Sequence, residues 1–535
     1  MFLDDYIDEK YKIKTPEHFN FAFDVVDRFA TEDSEKIALV WCNDKGNEKI
    51  LTFGQMAKNV NKTANVLKSL GIKKGDSVML ILRRRYEFWY MLLALHKIGA
   101  IAVPATVQLL TSDIVYRIEK AHIKMIVALN DEQVVEHIEN ALEEFSTKPE
   151  NLEKNPQLLL ANGSKEGWID FENQFEKASE TFADVRCAEN FDTSILYFTS
   201  GTSGYPKMVT HNFFYPLGHI VTAKCWQNVQ ENGLHLSLAE TGWAKALWGK
   251  IYGQWLCGCG VFVYDMETFI PKKVLEHLQN YKVTSFCAPP TAYRYLLRED
   301  FSHYDLSSLT QCTTAGEALT QDIFDTFKKQ TGITLREGYG QTELTLTSGN
   351  FPWVEVRVGS MGVASPNYDV DVIRPDGTSC NPNEVGEIIV RIDKSKPLGM
   401  FSGYFEDEEK TRQAFSDGIY HTGDSGRKDQ DGYFWFEGRT DDMIKSSGFR
   451  ISPFEVESVL LNHPAVFECA VTGIKDDRRG QIVKATIVVK EGFKPCRDLA
   501  REIKLFAKKN TANYKTPRPI EFVDEFPQTH SEKIR

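Results

Sequence analysis

Between Tyr197 and Lys207 the chain reads Tyr-Phe-Thr-Ser-Gly-Thr-Ser-Gly-Tyr-Pro-Lys. Thr199, Ser200, Thr202 and Ser203 supply hydroxyls, and Lys207 supplies a positive charge. Gly201 and Gly204 let the backbone turn sharply and present its N–H groups. N–H groups, hydroxyls and an ammonium together make a cradle for phosphate oxygens. The spacing is not the Gly-x4-Gly-Lys-Ser/Thr of the common P-loop. Taken alone, the segment reads equally as a plain loop between a strand and a helix.

Further polar clusters lie along the chain. In order they are Thr314-Ala-Gly-Glu317, Glu337-Gly-Tyr-Gly-Gln-Thr-Glu343, Tyr420-His-Thr-Gly-Asp424, Gly438-Arg-Thr-Asp-Asp442, Lys445-Ser-Ser-Gly-Phe-Arg450 and Pro527-Gln-Thr-His-Ser-Glu-Lys533. The ordered set resembles the adenylate-forming superfamily of acyl-CoA synthetases, peptide-synthetase adenylation domains and luciferases. Residues 240–248, Glu-Thr-Gly-Trp-Ala-Lys-Ala-Leu-Trp, are similar to the medium-chain acyl-CoA synthetases and their archaeal relatives, and residues 252–264 support the same group. The resemblance covers nearly the whole chain. It implies ATP, Mg2+ and coenzyme A, with a small carboxylic acid as partner. It also implies two half-reactions. A carboxylate attacks the α-phosphorus of ATP, giving acyl-AMP and pyrophosphate; the coenzyme A thiol then attacks the acyl carbonyl and expels AMP.

By this resemblance Thr199, Ser200, Gly201, Thr202, Ser203 and Gly204 close with Lys207 over the β- and γ-phosphates. Glu343 corresponds to the magnesium ligand and Thr202 to a second contact, since a hard cation takes carboxylate and hydroxyl oxygens. Asp424 resembles the aspartate that accepts hydrogen bonds from both ribose hydroxyls; its two oxygens suit a vicinal diol. Tyr339 stacks on adenine, Gly316, Glu317 and Ala318 line the same face, and Arg439 reaches the ribose or phosphates. Glu337, Gly338, Gln341 and Thr342 complete the nucleotide set. Lys533 matches the lysine that bridges carboxylate and phosphate, and Arg450 joins the catalytic set. The tail departs from the family pattern: Gln528 stands for a lysine and Glu532 for a glycine. Asp441 matches the hinge about which the small domain rotates, and Ser447, Gly448 and Phe449 line the pantetheine tunnel. Arg478, Arg479 and Lys484, or else Arg83, Arg84 and Arg85, are candidates for the 3′-phosphate of coenzyme A; a solvated face is the other reading of both.

Gly340 sits where acetate-specific relatives carry a tryptophan, so acids longer than acetate fit, whether medium-chain, branched or aromatic. His211, Trp243, Leu247 and Trp248 are candidate walls, with Trp248 also readable as core. Lys245 and Lys250 read as surface residues. Two rival readings remain: a ligase that loads a carrier protein, and a nucleotide- or acyl-binding homologue impaired in catalysis, which Glu532 would favour.

Positioning such groups takes a large frame. The chain has 535 residues, enough for two or more domains. Apolar runs at residues 77–82, 101–105, 124–129, 234–238, 260–264 and 283–288 read as buried strands, and residues 86–97 and 131–145 as amphipathic helices. Their alternation predicts an α/β fold with parallel sheets. From about residue 359 short antiparallel strands suggest a small β-barrel running to 440. Residues 441–535 read as a separate, mobile α+β domain following the N-terminal adenylation domain of 1–440.

A formal net charge of −12 disfavours a general nucleic-acid binder. The ten cysteines form no framework, and Cys257-Gly-Cys259 reads as buried thiols. The acidic N-terminus has no apolar signal-like run, and no run of about 18 apolar residues predicts a membrane span. A cytoplasmic, reduced setting is expected. The sequence identifies no oligomer interface.

Overall fold

The computed structural model describes residues 2–526 apart from 152, 153, 184, 185, 200–205, 318, 441, 443, 447, 448 and 477. The chain divides into two compact units. The first comprises the chain up to Thr313, Gly340–Leu346 and Lys396–Thr411; the second comprises Thr314–Tyr339, Thr347–Ser395 and the chain from Arg412 onward.

Two sheets build the first unit. One runs in the order Gly403–Tyr404, Lys207–Asn212, Thr193–Thr199, Ile101–Pro104, Ser77–Ile81, Ile123–Ala128, Gln157–Leu160, Ile169–Asp170. It is parallel from Thr193–Thr199 outward, while Lys207–Asn212 and Gly403–Tyr404 add on antiparallel. In the other, Gln311–Ala315, Ser285–Cys287, Leu234–Ser237, Gly260–Asp265 and Ile37–Asn43 are successive parallel neighbours, and Glu48–Thr52 closes one edge antiparallel. Every residue of Ser77–Ile81 and of Gly260–Asp265 is buried, as expected where helices cover both faces of a parallel sheet. Helix Glu132–Ser146 starts where the Asp131 carboxylate accepts from the N–H groups of Gln133 and Val134.

Helix Glu87–Ile98 departs from expectation. It is buried along its whole length rather than amphipathic. Its charges are paired inside: Glu87 with Arg85, and Lys97 with Asp27 at 2.6 Å.

In the second unit, Leu335–Tyr339, Ser348–Gly349 and Val363–Ala364 form a short antiparallel ladder. The strands Asp369–Ile373, Val385–Arg391, Ile419–Lys428 and Phe434–Arg439 form a four-stranded antiparallel sheet in that order. A barrel was expected here; among the described residues no pairing closes Phe434–Arg439 onto Asp369–Ile373. The last sheet runs Phe449–Ile451, Ile444–Ser446, Gly480–Val489, Val466–Asp476, with Ile520–Phe522 parallel to Gly480–Val489. Helices Pro453–Leu461 and Arg497–Asn510 bring Val456, Leu460, Leu499 and Ile503 onto its core. Each such side chain contributes about 1.5–3 kcal/mol when fully buried.

The mixed α/β class agrees with the sequence. Cys257 and Cys259 are buried, and burial pushes the Cys257 thiol up to about 12. Among the described residues no helix is long and apolar enough to cross a membrane.

Candidate active site

Asp424 organises the site in the second unit. It lies on strand Ile419–Lys428 directly across from Arg439 on the neighbouring strand. Arg439 Nη1 donates to Asp424 Oδ1 at 3.0 Å and to the Thr422 carbonyl at 3.3 Å. The Tyr339 hydroxyl donates to the other oxygen, Asp424 Oδ2, at 2.5 Å. Burial, with Asp424 beside it, holds the Tyr339 phenol well above its usual range, so it stays protonated and donates. The Thr422 hydroxyl takes the Asp424 N–H at 3.0 Å and ties itself to the Ile388 carbonyl at 2.6 Å.

Local backbone explains the arrangement. Gly423 has φ +69°, and a Cβ there would come within 3.0 Å of Arg439 Nη2. The ladder slips between Ser425 and Gly426, a bulge of the kind that re-aims a side chain. Glu337 lies two residues before Tyr339; it is buried, and its Oε2 has no hydrogen-bond partner. Burial holds that carboxyl well above the usual carboxylate range. Gly338 and Tyr339 pair with Gly349 and Ser348. Gly316 turns with φ +102° and is exposed, and Glu317 is half-buried.

A second group gathers in the first unit. Thr199 and Lys207 are cross-strand partners at the ends of the Thr193–Thr199 and Lys207–Asn212 ladder. Tyr404 pairs with Val209 on the outer side of the same ladder. The Lys207 ammonium sits over the Tyr404 ring, 5.2 Å from its centre. The Tyr404 hydroxyl donates to Glu343 Oε1 at 3.1 Å, and the Phe401 N–H donates to the Glu343 carbonyl at 2.8 Å. One tyrosine therefore touches both the ammonium and the carboxylate. Sequence reasoning passed over Tyr404. Its signal was Gly403-Tyr404 just ahead of an acidic run, but only the strand pairing brings it to Lys207.

Behind Glu343 the backbone is held from below. His211 Nε2 donates to the Thr342 carbonyl at 2.7 Å, and burial lowers this imidazole to about 3, so it is neutral. The Gln341 carbonyl accepts from the Leu344 N–H. The space over Gly340 is filled by Trp248: a Cβ at 340 would lie 2.3 Å from Trp248 Cη2 and 2.3 Å from the Thr345 carbonyl oxygen. Trp248 is buried, whereas Trp243 is half-buried at the start of helix Ala244–Gly249.

Lys250 corrects the sequence reading. It is 1% exposed and its ammonium nitrogen has no hydrogen-bond partner. Desolvation drives its pKa well below the usual lysine range. The arginines 83–85 are likewise engaged within the protein: Arg83 pairs with Asp265 at 2.8 Å, Arg84 donates to the Leu238 carbonyl, and Arg85 pairs with Glu87. Lys484 pairs with Glu521.

Ser200, Gly201, Thr202, Ser203, Gly204, Ala318, Asp441, Ser447, Gly448 and Lys533 lie outside the described residues. Phe449 and Arg450 are placed by their backbone, across from Ser446 and Lys445.

Residues 26–405 match the AMP-binding enzyme family, and residues 455–533 match the AMP-binding enzyme C-terminal domain. The acyl-coenzyme A synthetase ACSM4, mitochondrial, of Homo sapiens is 39% identical over 529 residues, which cover 97% of this chain and 90% of that protein. The acyl-coenzyme A synthetase ACSM3, mitochondrial, of Homo sapiens is 37% identical over 538 residues, covering 98% and 90%. Among solved structures, the anthranilate CoA ligase AuaEII in complex with anthranoyl-AMP is similar at a TM-score of 0.87 and 30% identity, over 97% of this chain and 96% of that one.

Proposed function

The chain belongs to the AMP-binding enzyme family, and on that footing we propose that it is an AMP-forming ligase joining a small carboxylic acid to coenzyme A. The observation that carries the reading is the convergence of Lys207 and Glu343 on Tyr404. An ammonium and a carboxylate held by one rigid ring are what a phosphate chain with a hard cation requires.

The first half-reaction needs little proton transfer, because a carboxylic acid is ionised at neutral pH. It needs charge neutralisation and in-line placement. Lys207 faces the phosphates, and Thr199, Ser200, Thr202 and Ser203 are the hydroxyl residues assigned to them. Asp424 takes the ribose, held in orientation by Tyr339 and Arg439. Glu337 belongs to the nucleotide set. Lys533 reaches the carboxylate and the α-phosphate, and pyrophosphate leaves. In the second half-reaction the thiol sulfur bonds the acyl carbon, AMP departs with the electron pair of the broken bond, and the thiol proton passes to solvent. Residues 441–535 turn about Asp441 between the two steps, bringing Gly448 to the thiol's path.

Glu343 is the residue for Mg2+. Magnesium is usually bound by one or two carboxylates together with substrate phosphates, so a single carboxylate steadied by Tyr404 fits. Bound there, the ion would neutralise charge building on the phosphates.

AMP release from ATP with coenzyme A, across C2 to C10 straight, branched and aromatic acids, tests the function. Release that depends on both acid and coenzyme A is expected. Silence across the panel with intact ATP binding would overturn the ligase reading.

A further inference from the structure

The edge strand that carries Tyr404 is two residues long, Gly403–Tyr404. Beside strand Lys207–Asn212 it is stitched at both ends. The Ser402 N–H donates to the Thr210 carbonyl at 2.7 Å, and the Phe405 N–H donates to the Met208 carbonyl at 2.8 Å. The Thr210 hydroxyl donates to the Gly403 carbonyl at 2.8 Å. The Tyr404 N–H turns the other way and donates to Thr411 Oγ1 at 2.9 Å. After Phe405 the chain leaves the sheet.

At that exit a residue from far upstream closes on it. His122 Nε2 donates between the two carboxylate oxygens of Glu406, at 3.0 and 3.1 Å, across 284 positions of sequence. The His122 ring also lies edge-on to Phe405, 6.2 Å between centres. His122 and Glu406 both have φ +51°, a left-handed conformation that residues with side chains seldom adopt. Such backbone persists only where its surroundings hold it, and it gathers at functional sites. His122 is a fixed post: it stands between helix Thr111–Lys120 and strand Ile123–Ala128, and its neighbours Ala121 and Ile123 are buried. Both side chains of the pair are 59% exposed, so it adds little to global stability. Its effect falls on the short segment that it closes.

We propose that His122 is a positioning residue: by holding Glu406 it fixes strand Gly403–Tyr404 on the sheet edge, and with it the Tyr404 hydroxyl that steadies Glu343 for Mg2+. This rests on the ligase reading. Tyr404 lies two residues before Glu406 and touches both Lys207 and Glu343. A two-residue edge strand has few bonds to lose, so it opens locally without the rest of the sheet. When it opens, Lys207 loses its ring and Glu343 loses the donor that orients it, in one event.

The test uses the full chain. Amide hydrogen exchange over residues 403–411, without nucleotide, reads how often the segment opens. Calorimetry with ATP, in Mg2+ and in EDTA, reads the metal-dependent part of binding. An exposed ion pair shifts such a local equilibrium by about two- to five-fold. His122→Ala is expected to speed exchange over 403–411 and to weaken Mg2+-dependent ATP binding by about that factor each, with metal-free binding and the unfolding midpoint unchanged. His122→Gln keeps a donor and should recover part of both. Glu406→Asn suits positive φ but is one methylene shorter; added to His122→Ala it should cost nothing further, because the pair acts as a unit. If His122→Ala does not fold, Glu406→Asn alone carries the same expectations. Unchanged exchange, unchanged Mg2+-dependent binding, equal weakening with and without the metal, or additive effects of the two substitutions would each overturn the inference. A lowered midpoint in both single variants would mark a merely structural role and overturn it as well. The two readings separate. AMP release by the wild type with unaltered metal dependence in His122→Ala sinks only this inference. Weakened Mg2+-dependent binding in His122→Ala, with no AMP release by the wild type from any acid, sinks the ligase reading.

Discussion

Tyr404 shows how much a single side chain can hold. Its ring carries the Lys207 ammonium and its hydroxyl carries the Glu343 carboxylate. Tyr404→Phe keeps the first contact and removes the second. A hydrogen bond to a charged group contributes about 1.5–3 kcal/mol, so this variant is expected to lose about ten-fold or more in acid-dependent pyrophosphate exchange. Asp424 makes the complementary case. Its carboxylate is held by Tyr339 and Arg439, and Asp424→Asn is expected to raise KM for ATP by about ten-fold or more with the acid KM little changed. Steady-state kinetics with each substrate varied in turn checks this. These residues were legible in the sequence because each sits in a short cluster whose chemistry is local. Tyr404 was not, because it reaches Lys207 through a two-residue strand far along the chain. Lys250 misled for a related reason: a charge in sequence carries no mark of burial, and only the packed structure shows it inside.

Elements set the tolerances around those residues. Gly340 lies against Trp248 and the Thr345 carbonyl, so Gly340→Ala overpacks both. We expect a loss of about 1–3 kcal/mol in stability, seen as a lower denaturant midpoint at unchanged m. A second expectation concerns helix Pro453–Leu461 and its neighbour strand. Glu457 accepts from the Val471 N–H at 2.7 Å, yet burial raises its carboxyl to about 7. The folded protein therefore binds this proton more tightly than the unfolded chain does. Stability falls as pH rises from about 4.5 to 7, by roughly 3 kcal/mol from this group, and is flat above. Glu457→Gln should flatten that slope, and unfolding midpoints at pH 5 and pH 8 measure it. The strands were readable because apolar runs between polar turns have few other solutions. The barrel did not appear among the described residues: short alternating strands announce an antiparallel sheet, but closure depends on pairings between edges that no local pattern encodes.

At the scale of the molecule, the hinge assignment makes a kinetic prediction. Asp441→Pro restricts one φ angle and is expected to slow thioester formation more than adenylation; equal slowing in single-turnover assays of the two half-reactions would exclude the hinge. The order of the polar clusters along the chain was enough to suggest the fold class, since so long an ordered set has few sources. The division into units was not, because the first unit reclaims Gly340–Leu346 and Lys396–Thr411 from beyond a stretch of the second. That interleaving bears on biosynthesis. The edge strand Gly403–Tyr404 pairs with Val209 and Thr210, about two hundred residues upstream. At 5–20 residues per second, a ribosome needs on the order of 10–40 s to deliver it after its partner has emerged. For that interval the nascent chain carries an open sheet edge at Lys207–Asn212, a natural stopping place for a chaperone and a point at which slowed translation would tell.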